Sequence, residues 1–212
     1  AKIEKRQFVK NQAANLFYGL SLGSILLLAA LGLAITFGLM GVINMAHGEM
    51  LMLGAYLTFV VQNLFKEYLP GYFELYLIAA IPVSFLGSAL VGIILERGII
   101  RHLYGRPLET LLATWGISLI LIQTIRLIFG AQNVEVANPS YLSGGVEVIN
   151  GIVFPYSRIA IIIFVVGVVI SIWMLLQKTS LGLQVRAVTQ NREMASCMGI
   201  STYKVDMYTF GL

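Results

Sequence analysis

The residues best suited to chemistry sit inside apolar surroundings. Asn44, His47 and Glu49 cluster in INMAHGEM, and Thr114, Trp115, Ser118, Gln123, Thr124 and Arg126 are spread along one apolar stretch further on. Polar groups held at the depth of a bilayer are costly, which makes each a candidate for function. His47 and Glu49 are two residues apart, so on a helix they diverge by about 200° and do not chelate one metal ion together. Two readings of this first group stand side by side. Asn44 or His47 caps backbone groups and ends or bends a helix, or the group lines a translocation path. Thr114 and Ser118 share a helix face at a spacing of four, where hydroxyls meet either a small polar solute or a neighbouring helix. Gln123 and Arg126 fall toward the far end of that stretch, where an arginine snorkels to the interface.

The motifs that are missing narrow the chemistry. The sequence has no GxxxxGK[ST] phosphate loop, no HExxH, no GxSxG and no Cys/His metal spacing. Its single cysteine, Cys197, excludes an internal disulfide. We expect no catalytic residue, no metal and no cofactor. An intramembrane enzyme would need His47 with Glu49 as its catalytic pair. If ATP drives this protein, a separate subunit must hydrolyse it.

The elements that position these residues are apolar helices. Of 212 residues 58% are hydrophobic and 11% charged, with a mean hydropathy of +0.85, whereas a soluble domain is roughly 25% charged. Apolar tracts at 16–38, 48–65, 75–95, 108–129 and 158–176 are each near the length that crosses a bilayer. The expectation is an all-α, polytopic transmembrane helix bundle of five to six helices, forming one domain over 1–212. The first two tracts are nearly fused through LMGVINMAH (39–47), so a broken or re-entrant helix is expected there. Small residues one turn apart, Gly19 and Gly23, then Ser84, Ser88 and Gly92, then Gly167 and Ser171, are suited to close helix packing.

The net charge of +4 is scattered over several loops, a pattern that orients a membrane protein and does not make a nucleic-acid face. Arg97, Arg101 and Arg106, and then Lys178, Arg186, Arg192 and Lys204, place two loops in the cytoplasm. Loops 66–74 and 130–157 face outward. Counting back puts the amino end outside, against the preference of Lys2, Lys5, Arg6 and Lys10; either the end lies along the surface or 32–48 holds an extra half-crossing.

Residues 178–206, KTSLGLQVRAVTQNREMASCMGISTYKVD, differ from every other loop. Leu181, Val185, Val188 and Ala195 recur at helical steps with polar residues on other faces, and Gly199 suits a helix end. A short amphipathic helix in the cytoplasm follows, lying on lipid or docking a soluble partner.

INMAHGEMLMLGAY (43–56), ERGIIRHLYGRPLETLLATWGISLIL (96–121) and SLGLQVRAVTQNREMASCMGI (180–200) together resemble the permease subunits of the branched-chain amino acid family of ABC importers. Within that family, RPLETLLATWGISLIL and FGAQNVEVANPSYLSGG (129–145) are most similar to the urea or short-chain amide permease, with the branched-chain amino acid permeases as the alternative. The resemblance implies a pathway shared with a second, related permease subunit in the bacterial inner membrane. It also implies two cytoplasmic ATPases below, a binding protein outside that delivers substrate, and contact with membrane lipid but not nucleic acid. It makes 178–206 a coupling loop that docks on the ATPase through Arg186, Ala187, Asn191, Ala195, Gly199 and Ile200. The pathway residues expected are Asn44, His47, Glu49, Thr114, Trp115 and Ser118. Family members continue beyond the point where this chain stops, just as a new apolar tract opens at Thr209–Leu212, so a fragment that cannot transport alone is expected. A membrane scaffold that holds a soluble partner without transporting is the rival from another class.

Overall fold

The structure, a computed structural model, describes residues 2–149 and 152–212. Every expected apolar tract is a helix: α1 (Lys2–Leu33), α2 (His47–Tyr68), α3 (Tyr76–Gly98), α4 (Pro107–Phe129) and α5 (Tyr156–Lys178). Among the described residues, four segments, Asn11–Leu39, Pro70–His102, Pro107–Phe129 and Tyr156–Lys178, are long and apolar enough to cross a membrane. The 22-residue α2 matches them in length, and its polar Gln62, Asn63, Lys66 and Glu67 fall in its last two turns. The chain is a polytopic helical membrane protein.

The helix break is present. After α1 the backbone loosens into π-helical turns over Ala34–Leu39 and then leaves the helix until α2 starts at His47. Gly41, at φ +67, takes a left-handed turn that an L side chain resists. Beyond α5 the amphipathic segment forms not one helix but two, α6 (Ser180–Gln190) and α7 (Arg192–Cys197), and a further helix, α8 (Thr202–Gly211), follows.

The chain divides into two compact units, Ala1–Ala30 with Ala137–Trp173, and Leu31–Val136 with Met174–Leu212. The first holds the one departure from all-helical structure among the described residues, a hairpin of β1 (Gly145–Ile149) and β2 (Ile152–Pro155) in antiparallel register. Gly145 lies so close to its partner strand that a Cβ there would fall 2.6 Å from the Phe154 carbonyl oxygen. Phe17 packs on Phe154 at 4.3 Å between ring centres. Arg158 stands over the Tyr18 ring at 5.0 Å.

The second unit carries the candidate site. The row Ser84, Ser88 and Gly92 on α3 does pack helices. The Ser84 and Thr58 hydroxyls are 3.0 Å apart between α3 and α2, and Ser88 faces Gly54. At the other end of the row, a Cβ on Gly92 would meet the Phe210 carbonyl oxygen of α8 at 3.3 Å, and Gly211 of α8 fits against Ile93. Small residues let these backbones approach where no hydrophobic effect separates helix from lipid. A Cβ on Gly19, Gly23 or Gly167 would meet nothing within 4 Å, so those two rows stand open along their helices.

Candidate functional site

The membrane-depth group is built at the helix break. Asn44 is 6% exposed, and its Oδ1 accepts the Ala46 N–H at 3.0 Å, a local turn that leads the chain into α2. That is the capping reading of Asn44. His47, half-buried, opens α2, and its ring fills the space a side chain at Gly32 would need, since a Cβ there would come 2.7 Å from Cε1.

Thr114, 1% exposed on α4, fastens this segment. Its Oγ1 accepts the Met45 N–H at 3.1 Å and lies 3.2 Å from the Ile43 carbonyl oxygen and 2.9 Å from that of Thr110. The residues of the break have no ladder of their own, and an unpaired backbone group at this depth costs more than one in water. One turn on, Ser118 donates to Glu49 Oε1 at 2.6 Å, while Glu49 Oε2 is buried without a hydrogen-bond partner. The shared face of Thr114 and Ser118 therefore meets α2 and its leading segment. Of the six residues, Glu49 and Ser118 bond directly, Thr114 holds the backbone on either side of Asn44, and His47 packs on Gly32, whereas Trp115 is 53% exposed. Gln123 and Arg126 are exposed, and Thr124 donates back to the Ile120 carbonyl.

The loop after α5 folds back on itself. Thr179 caps α6 by accepting the Gly182 N–H at 3.3 Å. Gly182 sits directly on the preceding helix, where a Cβ would run into the Leu176 carbonyl. Arg186 donates to that same carbonyl. Asn191 breaks the amphipathic run, taking extended backbone and capping α7 through the Met194 N–H at 2.9 Å. The far end of α7 closes with Gly199 at φ +82, the Ile200 N–H bonded to the Ala195 carbonyl at 3.0 Å and the Gly199 N–H to Ser196 at 3.0 Å. This pattern satisfies the last carbonyls and brings Ile200 onto Ala195. Val185, Val188, Ala195 and Val205 form the core here, with Leu39, Leu181, Ala187 and Ile200 packed around it. The Thr189 hydroxyl also lies 2.8 Å from the Leu39 carbonyl oxygen and 2.8 Å from that of Val185, bringing α6 against the end of the π-helical turns.

Each of the six residues that the resemblance pointed to thus has an internal partner or conformation to hold. The outward surface of the loop carries others: Leu183, Met194 and Met198, the last 77% exposed. The stripe Leu181, Val185, Val188 and Ala195 expected from the sequence is the inward face in the structure, and apolar residues on the other faces stand outside that stripe. The spacing of four between Met194 and Met198 was the available signal.

A second missed feature is ionic. Arg192, on α7, pairs with Asp206 of α8 through both guanidinium nitrogens and stands 4.2 Å from the ring centre of Tyr104, in the loop between α3 and α4. Burial pushes the Asp206 carboxyl above its ordinary range, and the hydrogen bond and charge of Arg192 pull it back. Burial likewise raises the Tyr104 phenol, with Asp206 and Glu96 adding to the effect. In sequence Arg192 stands out only as a loop charge that orients the chain, because its partner lies fourteen residues on, beyond any helical spacing.

The family model described as "Branched-chain amino acid transport system / permease component" matches residues 15–212. The chain is 30% identical over 197 residues to the high-affinity branched-chain amino acid transport system permease protein BraD of Pseudomonas aeruginosa, covering 91% of this chain and 64% of that protein. It is 28% identical over 204 residues to the corresponding permease protein LivH of Escherichia coli, covering 92% and 64%. It is also 28% identical over 201 residues to a probable branched-chain amino acid transport permease protein of Methanocaldococcus jannaschii, covering 88% and 58%. The chain spans about 64% of the length of the first two relatives. No solved structure matches it. A match that runs from within α1 through α8 leaves one assignment: the chain belongs to the branched-chain amino acid transport system permease family.

Proposed function

We propose that this chain is the larger part of a permease subunit in an ATP-driven importer of branched-chain amino acids. The three relatives described above carry that cargo in their names. One observation in this chain carries the choice of cargo. Glu49, beside the helix break, gives one carboxylate oxygen to Ser118 and has its second buried without a partner. A buried carboxylate with a free acceptor suits the ammonium group of a zwitterion, and the apolar surroundings suit an aliphatic side chain. Urea or a short amide is the second reading, favoured by the likeness of residues 106–121 and 129–145 to amide permeases. An amide N–H also bonds to Glu49, but a neutral ligand leaves the carboxylate's charge uncompensated.

In this reading the α3–α4 loop and the α6–α8 segment face the cytoplasm. Two ATPase subunits dock there, a related permease subunit completes the pathway, and a binding protein delivers cargo from outside. Docking falls on Leu183, Met194 and Met198, while Arg186, Ala187, Asn191, Ala195, Gly199 and Ile200 hold the loop in shape. Closure of the ATPases moves α6, and the Thr189 bond to Leu39 passes that motion to the break and to Glu49.

The test is uptake of labelled leucine and labelled urea by cells carrying the full-length permease with its partner subunits, compared with cells lacking the permease. Permease-dependent leucine uptake that excess urea does not suppress is the expected result. Urea uptake unaffected by leucine would move the assignment to the amide branch, and uptake of neither would leave the scaffold reading.

A further inference from the structure

Between the end of α3 and the first turn of α8 lies a half-open pocket of about 290 Å³, separate from the Glu49 group. Its rim is basic: Arg97, Arg101 and Lys204 are all exposed there. Arg101 is held in place over the Tyr203 ring at 4.3 Å, and Arg97 Nε points at the Met207 sulfur at 3.1 Å. Its floor is acidic. Glu96 is 1% exposed, lines the pocket, and has Oε1 buried without a hydrogen-bond partner.

A basic rim alone would be an orienting charge cluster. A carboxylate that lines the cavity beneath three cations, with one oxygen buried and unpartnered, asks for something more: a ligand with an anionic group for the rim and a hydrogen-bond donor that reaches past it. The pocket stands where an apolar span ends, with Ile94 and Ile99 exposed on the α3 side and Tyr203 and Tyr208 exposed on α8, the composition of a helix end at a headgroup layer. We propose that this pocket binds the headgroup of a membrane phospholipid, the phosphodiester on Arg97, Arg101 and Lys204 and an ammonium donor on Glu96. The chemistry selects phosphatidylethanolamine over phosphatidylcholine, whose quaternary nitrogen has no N–H to give. The bound lipid bridges α3 to α8, the helix that also carries Asp206 and so holds the coupling loop through Arg192. The assignment rests on the permease reading only in placing this end of α3 at a bilayer surface.

The experiment uses the full-length permease complex, purified and stripped of lipid. Retained lipid is counted by native mass spectrometry, and melting is followed after adding dioctanoyl phosphatidylethanolamine, dioctanoyl phosphatidylcholine or inorganic phosphate. We expect phosphatidylethanolamine to bind at least tenfold more tightly than phosphatidylcholine. Glu96→Gln should collapse that preference, and the exposed double variant Arg101→Gln, Lys204→Gln should weaken both lipids. The double variant keeps the test open if Glu96→Gln does not fold. Equal binding of the two lipids, undiminished binding by the double variant, or matching stabilisation by inorganic phosphate would overturn the proposal, the last assigning the pocket to a soluble phosphate. Leucine uptake in proteoliposomes of the same complex separates the two claims: selective lipid binding without uptake removes the cargo and keeps the lipid site, and uptake without selectivity does the reverse.

Discussion

Thr114→Val tests whether this residue is a latch for the helix break or a contact for cargo. The substitution is nearly isosteric, so it opens no cavity and leaves α4 its helical hydrogen bonds. It removes the acceptor that the Met45 N–H uses at 3.1 Å and the hydroxyl beside the Ile43 carbonyl. A backbone N–H left without a partner costs about 1–3 kcal/mol. For a chain of this length that lowers the melting midpoint by roughly 2–12 °C. Thr114→Ser keeps the hydroxyl and loses one methyl, a cost of about 1 kcal/mol. The assay pairs thermal unfolding of the full-length permease complex in detergent with the concentration dependence of leucine uptake. The latch predicts a lower midpoint for valine, rescue by serine, and a half-saturating concentration that stays within twofold for both. A valine variant that melts like the wild type but needs several-fold more leucine would refute the latch and return Thr114 to the pathway.

Three further outcomes concern the segment from α6 to α8. Gly182→Ala forces a Cβ onto the Leu176 backbone, and we expect a loss of about 1–3 kcal/mol or more together with loss of ATPase docking, read by melting and by co-purification of the ATPase. The double variant Met194→Ser, Met198→Ser should leave melting unchanged and weaken ATPase association about tenfold, because exposed side chains contribute to binding and not to the fold; unchanged association would remove them from the interface. Arg192→Met strands the buried Asp206 and should destabilise by about 2–3 kcal/mol, toward the low end for a broken pair because Arg192 is itself partly open. Adding Asp206→Leu should restore much of that loss, and a double variant worse than the single would show that the pair itself is stabilising.

The helices were legible because bilayer physics writes them plainly. A span needs an unbroken apolar run, so the tract at 108–129 predicted α4 (Pro107–Phe129) to within a residue. The break at 39–47 was legible for the converse reason, since Asn44, His47 and Gly41 interrupt the run. The hairpin at 145–155 lies in a stretch that its charges mark only as loop, although Val146-Glu147-Val148 alternates before Asn150-Gly151; residues 150 and 151 fall outside the described residues. The meeting of Glu49 with Ser118 was not readable, because residues 69 apart in sequence are joined by packing that no local pattern encodes. The expectation that Trp115 belongs with Thr114 and Ser118 did not allow for the helix turn, which sends the next residue about 100° away.

The bond from Thr189 to the Leu39 carbonyl joins the loop to the same stretch of chain that leads, ten residues later, to Glu49. Linkage between two binding sites on one such element is reciprocal: whatever factor the ATPase imposes on affinity for cargo, cargo imposes on affinity for the ATPase. On the function proposed above, a loaded permease would grip its ATPase differently from an empty one, so that arrival of cargo would be signalled to the nucleotide-hydrolysing side before any ATP is spent.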